Sequence, residues 1–130
     1  MTDGTSLRPF AFVLAVRDLA ATATYFQAAL GFDLTWAEAD EWRLLTRGQV
    51  RVMIGRCPEV TPAAAIGDHS YFGYLEVDDV DALHAELVRR GAIIRHPPTD
   101  QVWGMREMAI ATPDGHRMMI AQPLRTPDLS

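Results

Sequence analysis

Apolar and polar positions near the start of the chain predict a strand followed by a helix. Residues 10–16 form a short apolar run, rich in aromatic and β-branched side chains, that is typical of a buried strand. Asp18 is a good N-cap residue, and Gly31 is expected to end the helix in the left-handed conformation. The helix between them carries one apolar stripe, formed by Leu19, Ala23, Phe26 and Leu30.

The same pattern returns in the second half of the chain. Residues 71–77 are the matching strand, Asp79 is the N-cap candidate and Gly91 the terminating glycine. Asp18 and Asp79 are 61 residues apart, and the strand ends and apolar stripes keep this offset. The same order of elements, a strand, a helix N-cap, an apolar stripe and a terminating glycine, occurs twice. This indicates an internal duplication.

Each predicted helix is followed by strand-like runs and turns. The runs are residues 32–39, 42–46 and 50–54 in the first half and 92–95, 105–111 and 117–121 in the second. Thr112-Pro113-Asp114-Gly115 is a strong turn sequence, and Arg47-Gly48-Gln49 fits a hairpin turn. The unit is β-α-β-β-β, twice, which predicts an α+β fold. A single domain over residues 1–130 is expected, with module one at about 10–55, a linker at 56–69 and module two at about 70–122.

Composition and charge narrow the class of protein. Apolar residues make up 48% of the chain and charged residues 22%, which is ordinary for a globular domain. No apolar run approaches the roughly 20 residues of a membrane-spanning helix, so no membrane partner is expected. A net charge of −5 at pH 7 disfavours nucleic acid, which needs clustered Lys and Arg. One cysteine, Cys57, and a polar start without a signal-peptide core predict a cytoplasmic protein.

Two short sequences stand at fixed places in this order: Val16-Arg17-Asp18-Leu19 opens the first helix, and Pro113-Asp114-Gly115 precedes the last strand. With the duplicated order around them, they resemble the glyoxalase/bleomycin-resistance/extradiol-dioxygenase (vicinal oxygen chelate) superfamily. The resemblance covers residues 10–122. It implies two βαβββ modules with curved mixed sheets around a cavity and helices on the convex faces. In that superfamily the cavity often lies across a dimer interface.

The resemblance also locates the positions at which metal enzymes of the superfamily place two His ligands and one Glu ligand. In this chain those positions hold Ala11, Phe72 and Met119. None of these side chains offers the oxygen or imidazole that a divalent ion needs. The resemblance therefore implies no metal and no other cofactor, and it argues against the metal-dependent chemistry of the superfamily.

Strand alternation predicts which side chains line the cavity. If the former ligand positions point inward, the inward set also includes Val13, Ala15, Tyr74, Glu76, Arg117 and Ala121. Their neighbours are all apolar and are expected to face the helices: Leu14, Val16, Leu75, Val77, Met118 and Ile120. If Glu76 points inward, its carboxylate must be hydrated, paired with a cation or used in the function of the site. Arg117 and Arg51 are the candidate partners for an ion pair.

Trp103-Gly104-Met105-Arg106-Glu107 resembles the bleomycin-resistance proteins, and so does the aromatic and acidic stretch of residues 36–42. The resemblance implies a non-catalytic homodimer that sequesters a planar aromatic, cationic antibiotic in interfacial grooves. Tryptophans would stack on the ligand, and acidic residues, including Asp40, would supply counter-charge. The ligand site so expected comprises Trp103, Trp36, Trp42, Glu38, Phe72, Tyr74, Glu76, Glu107, Arg117 and Met119.

Other readings of the same residues stay open. Each tryptophan can instead pack in the core or at the dimer interface. The chain can instead be an enzyme of the superfamily, a lyase, isomerase or dioxygenase with an atypical metal site or none, or a regulatory domain without a ligand. His116 directly follows a turn and is expected to be exposed, and His84, on a helix, is expected to be solvated.

The ligand positions generate the first prediction. Because Ala11, Phe72 and Met119 supply no ligand atom, purified protein should retain no stoichiometric divalent metal after dialysis. Elemental analysis of the dialysed protein measures this. One tightly held metal ion per chain would contradict the prediction and would favour the enzyme reading.

Overall fold

The structure is a computed structural model that describes residues 5–36, 40–66 and 70–124. Within these ranges it has two α-helices, a short 3-10 helix and two four-stranded sheets, which is the α+β architecture expected. The first half contains β1 (Phe12–Val16), α1 (Leu19–Ala28), β2 (Asp33–Leu34), β3 (Trp42–Arg47) and β4 (Val50–Arg56). After the 3-10 helix (Ala63–Ile66), the second half contains β5 (Tyr71–Glu76), α2 (Val80–Arg90), β6 (Ile93–Asp100), β7 (Met105–Ala111) and β8 (Arg117–Pro123).

The two halves share one sheet topology. The strand order is β1-β4-β3-β2 in the first sheet and β5-β8-β7-β6 in the second. In each sheet the first strand pairs in parallel with the last, and the other pairs are antiparallel. The duplicated βαβββ unit is therefore confirmed. None of the helices in the described ranges is long and apolar enough to cross a membrane.

The predicted caps form at both helices. The carboxylate of Asp18 accepts from the amide of Ala21 at 2.9 Å, and that of Asp79 accepts from the amide of Ala82 at 3.0 Å. These bonds satisfy donors that the first helical turn leaves without a partner. Gly91 caps α2 with a φ of 82°, in the left-handed region that glycine enters at little cost.

Two strands differ from the sequence-based expectation. The strand expected at residues 32–39 is confined to β2, and residues 37–39 lie outside the described residues. The strand expected at residues 92–95 extends as β6 to Asp100, through Pro97 and Pro98. Proline is tolerated there because β6 is an edge strand, and its pairing with β7 is irregular on both sides of His96.

Each helix packs on one face of its own sheet, and a single core cluster joins the two helix-bearing faces. Phe26 of α1 and Leu87 of α2 both belong to it. The faces without helices are here called the open faces, and each carries exposed side chains. Along β1, Leu14 on the helix side is 4% exposed, whereas Val13 on the open face is 59% exposed. The apolar set expected to face the helices lies in or against this core, as the alternation predicts.

Phe72 departs from that alternation. The register of β5 against β8 shifts between Tyr71 and Gly73, and Phe72 lies at this irregularity. Its ring packs edge-on against Phe12, with centroids 5.9 Å apart, and contacts the core cluster. Alternation alone predicts that Phe72 shares the open face with Tyr74. A bulge breaks the two-residue period locally, so the ring lies against the core instead.

Polar contacts tie the two halves together. The backbone amide of Arg17 donates to Asp114 at 2.9 Å, and its guanidinium Nε donates to the same carboxylate at 3.0 Å. This joins the β1–α1 connection to the turn before β8. Elsewhere Arg47 of β3 forms a bidentate pair with Glu86 of α2, at 2.9 and 3.0 Å. Two-point pairs of this kind fix orientation as well as distance.

The Asp114 contact generates the second prediction. Asp114 is 5% exposed, and its carboxylate accepts hydrogen bonds from two donors of Arg17. Asp114→Ala should therefore lower the free energy of unfolding by about 1–3 kcal/mol. Asp78→Ala, which removes an exposed carboxylate, is the matched control and should change it little. Urea unfolding curves measure both. Equal curves for the two variants would show that the contact does not hold the halves together.

Candidate functional site

Three side chains on the open face of the second sheet form one hydrogen-bonded group, here called the Glu107 cluster. Glu107 of β7 is 5% exposed. Its Oε2 atom accepts from the Trp103 indole Nε1 at 2.8 Å and from the Tyr74 hydroxyl. The two rings nevertheless remain open to solvent, with Trp103 63% and Tyr74 53% exposed. A buried carboxylate thus holds two exposed aromatic rings in fixed orientations.

A tight turn places Trp103 over β7. Gly104 has a φ of 86°, which favours glycine, and its amide donates to the carbonyl of Gln101 at 3.1 Å. The amide of Gln101 in turn donates to the carbonyl of Met105 at 2.8 Å. The chain therefore folds back at residues 101–105, and the indole of Trp103 reaches the side chain four residues further on.

Strand order brings Tyr74 to the same point. β8 lies between β5 and β7, and its Ala121 pairs with Glu76 on one side and with Glu107 on the other. Tyr74 pairs with Met119 on β8. The small side chain of Ala121 leaves space above β8, so the Tyr74 phenol can cross to the carboxylate on β7.

The environment of Tyr74 favours the neutral phenol. Partial burial, and then the hydrogen bond to Glu107 and the charge of that carboxylate, raise the pKa of Tyr74 to about 12. Glu76 adds a smaller effect in the same direction. At neutral pH the hydroxyl is therefore a fixed donor to Glu107, and it is poorly suited to act as a general acid or base, which needs a pKa near the working pH.

The charged residues around the cluster are arranged differently from the sequence-based expectation. Glu76 is exposed, and no salt bridge within the described ranges involves it. The expected candidate partners lie on aromatic rings: Arg117 is 5.9 Å from the ring centre of Tyr71, and Arg51 is 5.1 Å from that of Phe10. An exposed carboxylate can be hydrated, so Glu76 does not require a partner.

The tryptophans of the first half lie apart from this cluster. Trp42 packs on Gly55 on the open face of the first sheet, where a Cβ atom would be 2.7 Å from the indole. Trp42 is 41% exposed and Trp36, beyond β2, is 38% exposed. No ring contact within the described residues joins either of them to Trp103. Glu38 lies outside the described residues.

The three former ligand positions do not form a metal site. Ala11 and Met119 are partly buried, with Met119 between Tyr74 and Ala109 in the sheet, and Phe72 packs against the core. Within the ranges that the structure describes, no group of three His, Cys, Asp or Glu side chains could hold a metal ion. The residues present therefore do not fit the metal that the superfamily's enzymes use.

The expectation that His116 is exposed was wrong, since it is partly buried, whereas His84, also of intermediate burial, keeps part of its surface in solvent. The His116 ring lies edge-on to Phe72, with centroids 6.2 Å apart, and its Nδ1 is 2.9 Å from the Thr112 hydroxyl. Burial lowers the pKa of His116, against the smaller opposing effect of Asp114. The ring is therefore a neutral packing element beside the turn before β8.

The sequence matches the family model described as Glyoxalase/Bleomycin resistance protein/Dioxygenase superfamily over residues 8–120. A stretch of 52 residues is also 38% identical to an uncharacterized protein of Mycobacterium bovis, covering 40% of this chain and 34% of that protein. An uncharacterized protein of Mycobacterium tuberculosis matches at the same identity over 31% of its length. The matched stretch thus spans about a third of these curated relatives.

Solved structures show the same fold across almost the whole chain. TioX from Micromonospora sp. ML1 is 25% identical, with a TM-score of 0.69, and covers 88% of this chain and 98% of that one. A bleomycin resistance determinant encoded on the transposon Tn5 is 25% identical, with a TM-score of 0.73 and coverages of 94% and 98%. TnmS3, an antibiotic binding protein from Streptomyces sp. CB03234, is 23% identical, with a TM-score of 0.75 and coverages of 93% and 99%.

The Glu107 cluster generates the third prediction. Spectrophotometric titration of the phenols, with Tyr74→Phe subtracted from wild type, should show one phenol with a pKa of about 12. Glu107→Gln should lower that pKa more than the control Glu76→Gln, because Glu107 both accepts the hydrogen bond and contributes the larger charge effect. An unchanged phenol pKa in Glu107→Gln would contradict the cluster.

The same shift fixes the sign of a stability effect. Tyr74 holds its proton more tightly in the folded chain than in the unfolded chain, where the pKa is about 10. Its contribution to the free energy of unfolding is therefore fully present below about pH 10 and is lost as pH rises towards 12. The stability of Tyr74→Phe should accordingly fall less steeply than that of wild type over this interval.

Proposed function

We propose that this chain, which belongs to the Glyoxalase/Bleomycin resistance protein/Dioxygenase superfamily, is a non-catalytic binding protein that sequesters an aromatic, antibiotic-like small molecule. The observation that carries the proposal is the exposed indole of Trp103, held in place by the buried carboxylate of Glu107. The relatives described as a bleomycin resistance determinant and an antibiotic binding protein support it.

Orientation of the rings before binding favours a flat ligand. An indole that is already fixed loses little rotational freedom when a ligand stacks on it, so more of the contact energy appears as affinity. A stacked ring pair adds about 0.5–1.5 kcal/mol beyond the buried area. Gly104 beside the indole has no side chain, and space around its Cα is open, which lets a ligand approach the backbone.

The charges of the open face favour a cationic ligand over an anionic one. This face carries the carboxylates of Glu107 and Glu76, the guanidinium of Arg117 lies over the ring of Tyr71, and the whole chain carries a net charge of −5. Exposed aromatic faces attract cations through their quadrupoles. The same site has three further proposed contacts: Met119, Arg117 and Phe72. Met119 lies on the open face, and Phe72 would reach the ligand only if its ring rotated away from the core.

A homodimer would complete the site. The open faces expose large apolar side chains, among them Val13, Tyr74 and Trp42, and isolated sheets seldom leave such faces uncovered. We propose that a second copy covers them, so that Trp36 or Trp42 of one chain approaches Trp103 of the other across two interfacial grooves. Glu38 would lie in the same segment as those tryptophans. The place of action we propose is the cytoplasm, in keeping with the lone Cys57.

The residues at the former ligand positions support binding without metal-dependent chemistry. A metal-dependent reaction would need ligands that Ala11, Phe72 and Met119 do not provide. The alternative function, an enzyme of the same superfamily, is separated from the proposal by the metal analysis described above if it uses an atypical metal site, and by recovery of the bound ligand chemically unchanged if it uses none.

The fourth prediction tests the role of the indole. Planar aromatic antibiotics, beginning with metal-free bleomycin, are screened by quenching of tryptophan fluorescence, and the strongest binder is then titrated by calorimetry. Trp103→Ala should weaken its affinity about tenfold or more, since both stacking and buried area are lost. Trp36→Ala, at a proposed contact from the second chain, should weaken it far less than Trp103→Ala does, and His84→Ala, outside the proposed site, is the control.

Two further readouts make the outcome unambiguous. Glu107→Gln should reduce the salt dependence of binding, because the charge it removes is screened as ionic strength rises. Sedimentation of the same samples should show a dimer with two ligands bound. Unchanged affinity in Trp103→Ala, with the fold intact by circular dichroism, would mean that the indole only packs and that the ligand binds elsewhere.

A further inference from the structure

A cavity of about 430 Å³ lies between the two halves, on the helix side of both sheets and away from the Glu107 cluster. Its walls are mainly apolar and include Leu75, Leu83, Leu87, Ile110 and Met118. The turn between β3 and β4 stands at its rim, together with Arg47 and Glu76. Volumes and linings of this kind are typical of sites for small organic molecules.

The internal duplication explains why the cavity exists. Tyr25 of α1 lies at the junction between the halves, where its hydroxyl donates to the carbonyl of Ala111 at 2.6 Å and accepts from the amide of Ile93 at 2.9 Å. Its ring packs edge-on to Phe26, with centroids 6.3 Å apart. Two aromatic rings therefore fill this first junction.

The equivalent junction lacks those rings. Sixty-one residues after Tyr25 stands Glu86, which turns to Arg47 and Arg90 rather than filling the space, and Phe26 is replaced by the smaller Leu87. Leu87 lines the cavity, whereas the Phe26 ring of the other half packs edge-on against Phe32, with centroids 5.3 Å apart. The cavity thus includes space that the larger phenylalanine ring fills in the other half.

The charges at the rim are already engaged. Arg47 donates to both carboxylate oxygens of Glu86 and, through Nη1, to the carbonyl of Leu30 at 2.8 Å. Hydrogen bonds from Arg47, and then from Arg90, lower the pKa of Glu86 against the effect of burial. An anionic ligand would therefore have to compete with Glu86 for Arg47 and would also meet the carboxylate of Glu76. Any charged group inside the apolar walls would lose its hydration without a partner.

We propose that this cavity is a second binding site, separate from the Glu107 cluster, for a small neutral molecule of mainly aromatic or hydrocarbon character. The site takes the ligand in beside Leu87, where it fills space that a phenylalanine ring occupies in the other half. Mainly apolar walls of this kind bind apolar molecules of matching size.

The neutral fluorescent probe 1-N-phenylnaphthylamine tests the proposal. Wild type should bind it saturably, with one site per chain and enhanced probe fluorescence. Leu83→Phe places an aromatic ring in the cavity and should weaken the affinity tenfold or more. Val88→Phe, a matched change at an exposed position of the same helix, should leave it unchanged, and so should Trp103→Ala.

Two adjacent methionines of β8 give a readout that needs no variant. Met118 is 2% exposed and lines the cavity, whereas Met119 pairs with Tyr74 on the open face. The probe should shift the methyl resonance of Met118 in the NMR spectrum of wild type and leave that of Met119 in place. This comparison stands even if Leu83→Phe fails to fold.

Each contrary result overturns the proposal. These results are no saturable binding to wild type, full affinity in a folded Leu83→Phe, or a shift at Met119 without one at Met118. Loss of probe binding in Trp103→Ala would likewise assign the probe to the open face. The proposed sequestering function is unaffected by any of them, because it depends on the other face of the sheet.

Discussion

Burial of the two helix-bearing sheet faces in one core is the constraint on which the rest of the structure depends. Phe26 and Leu87 belong to the same cluster although they come from different halves. Because side chains in a strand alternate between faces, every residue committed to that core leaves its neighbour on the open face. The exposure of Val13 and Tyr74 is therefore the direct consequence of how the helices pack.

Local signals in the sequence were enough to predict most of the fold. Asp18 and Asp79 cap their helices because capping depends only on a short side chain and the next few amides. β7 begins and ends where the alternation predicts, at Met105 and Ala111. Long-range pairing was not predictable in this way. The bulge that turns Phe72 to the core and the extension of β6 through Pro97 depend on neighbouring strands that the local sequence does not reveal.

The candidate site was predictable only as separate residues. Alternation places Glu107 on the open face, and the resemblance draws attention to Trp103. Their hydrogen bond could have been suspected from the four-residue spacing across Gly104, whereas the bond from Tyr74 requires the strand order, since β8 lies between the two residues. The structural consequence of having Tyr25 in one half and Glu86 in the other could not be predicted from the sequence either. It depends on how the two halves pack against each other.

The two duplicated halves differ both in the shared core and on the open faces. In the core, one helix fills the junction with an aromatic ring, and the other spans it with a charged pair between Arg47 and Glu86. On the open face, the second half holds its indole through a carboxylate. A buried carboxylate is costly unless donors surround it, so the Trp103 and Tyr74 donors stabilise Glu107 while Glu107 orients their rings. A change at any of these three residues must therefore disturb the other two, which makes the cluster a single structural unit rather than three independent contacts.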